Sequence, residues 1–155
     1  MITVQVDPTR AFLKVERIDA STRKLLRGTI IAMTKALATQ VRVNLSGAVL
    51  NQRSGRLYSS IKSELVENPT TIYGVVGSYG VPYARIHEYG GVIKHPGSSK
   101  FQAWQGSGGW VYTHFTRPHD IPMPERSYLR SALAGMQEEI VARMTQAVHS
   151  GARAA

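Results

Sequence analysis

Apolar and polar positions alternate from Ile2 to Val6, the period of a half-buried strand. Asp7 and Pro8 then offer an N-cap followed by proline at a first helical position, so the pair predicts the start of a first helix. From about Ser21 the apolar residues Leu26, Ile30, Met33, Leu37 and Val41 recur every three or four positions, which places them on one stripe of a long amphipathic helix ended by Gly47. Residues 47–55 read as loop. Residues 53–61, RSGRLYSSI, predict a short helical turn with Ser54 as its N-cap and with Leu57 and Ile61 one turn apart. The β-rich runs 62–66 and 71–77 are joined by Glu67-Asn68-Pro69-Thr70, which predicts a hairpin.

In residues 81–91, VPYARIHEYGG, Val81-Pro82 opens a second short helix. Helical spacing sets Tyr83, Ile86 and Tyr89 near one face, and Arg85 and Glu88 at a distance that allows an ion pair. Gly90, followed by Gly91, supplies the left-handed position that ends a helix cheaply. The polar, glycine-rich stretch that follows has FQAW and GWVYTHF on either side of residues 105–109, which predicts a second, exposed hairpin over about 96–117. Ile121-Pro122-Met123-Pro124 forces an extended approach to a terminal helix marked by Leu129, Leu133, Met136, Ile140, Met144 and Val148. The expected architecture is a single α+β domain over 1–155. It has a small antiparallel sheet packed against two longer amphipathic helices, with an extended hairpin arm.

Charge changes that picture more than any other bulk property. Residues 1–62 hold 11 Lys and Arg against three acids, whereas the remainder holds eight against seven. Lys24, Lys35 and Arg42 fall opposite the apolar stripe of the long helix, and Arg53 and Arg56 follow in the next turn. A polyanion or an acidic protein face is the expected counterpart, with a solvated basic surface as the plain alternative.

Other chemistry finds little support. The chain has no cysteine, which removes disulfides and thiolate zinc sites. HEYGG has Gly91 where a metalloprotease helix needs its second histidine, and His87, His95, His114 and His119 show no ligand spacing. No serine stands in a G-x-S-x-G elbow. The chain is therefore expected to be non-enzymatic, without catalytic residues, cofactor or metal, and His87 to be a hydrogen-bonded packing residue. Neither a signal-peptide pattern nor about 18 successive uncharged apolar residues occurs, so neither export by a cleaved signal nor a membrane span is expected.

R-S-G-R-L-Y-x-S-I, V-V-G-S, Y-A-R-I-H-E-Y-G-G and I-P-M-P-E-R-S-Y-L-R-S-A-L, in that order over residues 45–134, resemble the tail-completion or virion-morphogenesis proteins of long-tailed bacteriophages, the neck or head-to-tail joining proteins of the minor tail protein Z type. The resemblance implies a structural virion protein, assembled in the bacterial cytoplasm and built into a ring, expected to be a hexamer, at the head–tail neck. Its partners would be copies of itself, a tail terminator or tail tube protein, head-completion or connector proteins, and non-specifically held double-stranded DNA in the channel. On that reading Lys24, Lys35, Arg42, Arg53 and Arg56 face DNA or an acidic neighbour, and Phe101, Trp104, Trp110, Tyr112 and Phe115 belong to an inter-subunit arm. Tyr83, His87, Glu88, Tyr89, Gly90 and Gly91 are structural. Residues 96–117 exceed the common pattern, and the first 20 residues match nothing in it. The alternative from another class is a sequence-independent nucleic-acid-binding protein of the bacterial cytoplasm.

Overall fold

The computed structural model describes residues 2–7, 10–16, 20–50, 55–97, 102–106, 109–113 and 117–154, with the strands inside 2–16 and 102–113 described through their backbone pairing. In chain order these are β1 (Ile2–Asp7), β2 (Arg10–Glu16), α1 (Ala20–Val43), a π-turn (Asn44–Ala48), α2 (Arg56–Ser59), β3 (Ile61–Glu67) and β4 (Thr71–Ser78). They continue with α3 (Ala84–Tyr89), β5 (Gly91–His95), β6 (Gln102–Gly106), β7 (Gly109–Thr113), β8 (His119–Met123) and α4 (Tyr128–Ala154).

The fold is α+β. A four-stranded antiparallel sheet has the order β1-β2-β4-β3, and β5-β8 and β6-β7 form two separate antiparallel ribbons. The helix expected after Asp7-Pro8 is not there: Asp7 ends β1 opposite Arg10, and β2 runs back along β1 and pairs with β4. Pro8 and Thr9 lie outside the described residues. RAFLKVE sets Ala11, Leu13 and Val15 on one face and Arg10, Phe12, Lys14 and Glu16 on the other, and its ladders to two neighbouring strands outweigh the local cap signal.

The long helix runs as expected, with Leu26, Ile30, Met33, Leu37 and Val41 all buried. Gly47, at φ 122°, sits in the π-turn that follows it. Leu129, Leu133, Ile140 and Met144 bury the matching face of α4. The two helices lie antiparallel, since Thr22 near the start of α1 abuts Gly151 near the end of α4. At the other end Asn44 reaches the carbonyl of Tyr128 and the hydroxyl of Ser131. Both pack on one face of the sheet. Ile72 and Val76 of β4 enter the shared core, and Gly74 between them leaves room for Thr34, since a Cβ there would stand 1.8 Å from the Thr34 hydroxyl. Leu57 and Ile61 are buried as their spacing implies, but the cap position of α2 is Gly55 at φ 67°; Ser54 lies outside the described residues.

Candidate functional site

Glu88 is the most informative side chain in the molecule, because it is charged and only 2% exposed. A buried carboxylate needs donors. Glu88 finds them across the fold: the backbone N–H groups of Leu129 and Arg130 donate to its two oxygens at 2.8 and 2.9 Å. These are the second and third residues of α4, whose amides have no partner within the helix. A side chain of α3 thus supplies the N-terminal cap of α4, 41 residues away, at the helix end where negative charge is favoured.

Arg130 completes the arrangement. Its Nε donates to Glu88 Oε1 at 3.2 Å, and its Nη2 donates to the Glu88 carbonyl at 2.9 Å and to Glu125 Oε1 at 2.6 Å. Burial opposes its charge, but the hydrogen bonds to Glu88 and Glu125 prevail and raise its pKa. The guanidinium also covers the Tyr89 ring at 4.4 Å. The expected Arg85–Glu88 pair is therefore corrected: Arg85 is exposed, and the partner of Glu88 comes from α4.

Nearby groups lock the same junction. Tyr128 is buried and its hydroxyl donates to the Ala84 carbonyl at 3.4 Å; burial, reinforced by Glu88, pushes its pKa far up. Gly90 ends α3 with φ 67° and ψ −170°, an extended conformation with positive φ and not the left-handed helical one expected. A Cβ at Gly90 would lie 2.8 Å from the Glu125 amide nitrogen and 2.9 Å from the Met123 carbonyl. HEYGG and PERSYLR are thus two halves of one clasp.

His87 departs from its expected role. Its backbone is tied on both sides, donating to Tyr83 and accepting from Arg126, and its ring meets Tyr83 edge-on at 5.7 Å. Yet Nδ1 is buried with no hydrogen-bond partner among the described residues. Burial, then the charge of Arg126, holds its pKa below the ordinary 6.5.

The five expected basic positions do not form one free face. Lys24 and Lys35 are exposed and carry no ion pair among the described residues. Arg42 turns back, half-buried, and donates to the Ile61 carbonyl at 2.7 Å, while Arg56 donates to the Gly80 carbonyl at 3.4 Å. Both guanidinium groups brace the start of β3 and the turn after β4. Arg53 lies outside the described residues. Arg23 and Arg27, one turn apart on α1, converge on Glu67 at the β3–β4 turn and hold its carboxyl below the usual range, the Arg27 hydrogen bond contributing most. Helical spacing could have paired these two arginines, but nothing in the sequence placed Glu67 opposite them.

The arm region is built as two ribbons. In the outer one Trp104 stands opposite Val111, Trp110 opposite Gln105 and Tyr112 opposite Ala103. Phe101 and Phe115 lie outside the described residues. In the inner one, β5 is open: Gly91, Val92, Ile93 and Lys94 are all exposed. His95 and His119 face each other in register with rings stacked at 4.9 Å, beside a shallow hollow lined by Lys94, Pro96, Pro118 and Asp120. His114 lies outside the described residues. Among the described residues, no group of three His, Asp or Glu is placed to share a metal ion, and no helix is long and apolar enough to cross a membrane. Compared with protein-family models, curated proteins and solved structures, the chain matches none.

Proposed function

We propose that the protein is a structural component of a tailed-phage virion, a ring-forming subunit of the head–tail neck that completes the tail and joins it to the head connector around a DNA channel. The observation that carries this reading is the pairing of a clasped body with a projecting ribbon. Two of the sequence blocks that carry the resemblance, Y-A-R-I-H-E-Y-G-G and P-E-R-S-Y-L-R, meet through Glu88 and Arg130. A ribbon with an exposed apolar edge then leaves the body between them. Exposed apolar strand edges are costly to an isolated subunit and useful to an assembling one. Within the clasp the Glu88 carboxylate is committed to two backbone amides and to Arg130, so its part in the reading is structural.

Deleting residues 98–113 and closing the gap tests the reading. The shortened chain should fold, because the β6–β7 ribbon pairs with neither the main sheet nor β5–β8, and should fail to form rings or to join heads to tails in an assembly assay. A full-length chain that stays monomeric with purified tails and heads, yet binds duplex DNA tightly alone, would transfer the function to the nucleic-acid-binding class.

A further inference from the structure

The inner ribbon has two outer edges, and they are not equivalent. Along β8 the sequence HDIPM carries Pro122, with Pro118 and Pro124 on either side. Proline has no N–H to give to a further strand. Along β5, GVIKH, there is no proline, and Val92 and Ile93 are 56% and 41% exposed. Only the β5 edge is suited to strand addition.

The register fixes what that edge offers. Val92 stands opposite Pro122, and because Pro122 has no donor, this must be a non-hydrogen-bonded pair of the antiparallel ladder. Alternation then makes Gly91–Met123, Ile93–Ile121 and His95–His119 the hydrogen-bonded pairs. Val92 and Lys94 consequently direct their N–H and C=O groups away from β8, toward the open edge.

We infer that this edge pairs with the same edge of a second copy of the chain, antiparallel and centred on Ile93. With the outward groups of Val92 meeting those of Lys94 in the partner copy, Ile93 falls on the twofold axis opposite its own equivalent. One face of the resulting four-stranded sheet then carries an unbroken row of four isoleucines, Ile121 and Ile93 from each copy. On the other face the Lys94 stem covers Val92 of the other copy, with Asp120, the cross-strand neighbour of Lys94, on the same face. The pairing is self-complementary, as a twofold contact requires.

Another edge strand of this chain, β3, is a poorer occupant. Asn68 and Thr71 exchange both backbone bonds, which fixes the alternation along β3. The matching antiparallel registers then set Ile93 against Glu64 or Lys62, or Val92 against Glu67, whose carboxylate Arg23 and Arg27 already hold. The inference starts from the same exposed edge as the virion reading but assigns it a distinct contact: a twofold contact relates copies head to head, whereas a neck ring needs a further, head-to-tail surface.

Sedimentation of the full chain at concentrations spanning about 1 to 100 µM, the range of a small strand-edge contact, should show the mass rising from 17.0 kDa toward twice that value. Val92→Pro removes the outward N–H and an exposed side chain, so it should leave helicity unchanged, and melting unchanged at concentrations too dilute for pairing, while the protein stays monomeric. Since the chain has no cysteine, Ile93→Cys provides a second, independent readout. Mild oxidation should give a disulfide-linked dimer in several-fold excess over an Ala142→Cys control on the exposed side of α4. A wild type that is monomeric throughout, V92P dimerising as wild type does, or I93C linking no better than the control would each overturn the pairing. So would a larger oligomer without the 93-to-93 bond, which would instead mark a head-to-tail contact.

Discussion

Glu88 performs two tasks, capping α4 and pairing with Arg130, and their relative weight follows from exposure. The Arg130 side chain is 35% exposed whereas that of Glu88 is 2% exposed, so water screens the ion pair from one side while the two amides have no substitute acceptor. Glu88→Ala should therefore cost about 2–3 kcal/mol, from an orphaned helix terminus and desolvated amides. Arg130→Ala should cost less, and Glu88→Gln, which keeps one acceptor, should fall between; urea unfolding of the three variants checks the order. His87 tests the opposite case, a buried polar atom with no visible partner. Its pKa is held below 6.5 in the folded protein, so the unfolded chain takes up the proton first as pH falls. The His87 contribution to stability is thus intact above pH 6.5 and is lost as pH falls through the depressed native value. His87→Phe keeps an edge contact with Tyr83 and removes both the orphan and the titration. It should be neutral or stabilising at pH 7.5, and the stability difference between pH 7.5 and pH 5.5 should shrink; equal pH dependence in the two proteins would show that His87 is not the group responsible.

Packing between elements turns on two glycines that sequence patterns did not single out. Gly74 lets α1 settle on the sheet and Gly151 lets the two long helices touch. An alanine at 74 would collide with the Thr34 hydroxyl, whose bond to the Ile30 carbonyl holds it in place. Gly74→Ala should cost at least the 1–3 kcal/mol typical of overpacking. Adding Thr34→Ala should return most of that loss, because the remaining Cβ lies at 3.0 Å and needs only a small helix shift; a thermal-melt double-mutant cycle measures the coupling. The same elements show what periodicity can and cannot convey. Both long helices, the 61–78 hairpin and the 102–113 ribbon were legible because each carries its own period and its own turn chemistry. Strand β2 was not, since Asp7-Pro8 imitates a helix start and the ladder to β4 that decides the matter spans more than 50 residues. The clasp was half legible: HEYGG drew attention as a structural motif, but its partner was sought one turn away and lies on another helix.

For the whole molecule, the net charge of +9 is divided by the fold into cations that hold the structure and cations left to meet a partner. Arg23, Arg27, Arg42, Arg56 and Arg130 are engaged with carboxylates or carbonyls. Lys24 and Lys35 stand about 16 Å apart along one face of α1, at 1.5 Å per residue, and remain exposed. If a polyanion lies along this face, neutralising Lys24 and Lys35 together should leave the melting temperature unchanged. The slope of log K against log salt for non-specific duplex binding should then flatten by about 2 units or slightly less. Arg42→Gln should behave differently: it releases the Ile61 carbonyl from a half-buried hydrogen bond, lowers stability by about 1 kcal/mol or more, and changes the salt slope less than either lysine. A common effect of all three substitutions on DNA affinity, with no loss of stability at Arg42, would return the basic residues to one continuous binding face. An unchanged salt slope in the double lysine variant, with loss of a protein partner instead, would assign the face to an acidic neighbour. Arginine reaching carbonyls and lysine reaching solvent is the division that flexible ammonium and forked guanidinium groups favour. On and after α1 it makes Lys24 and Lys35, and not Arg23, Arg27, Arg42 or Arg56, the first positions to test for contact with DNA.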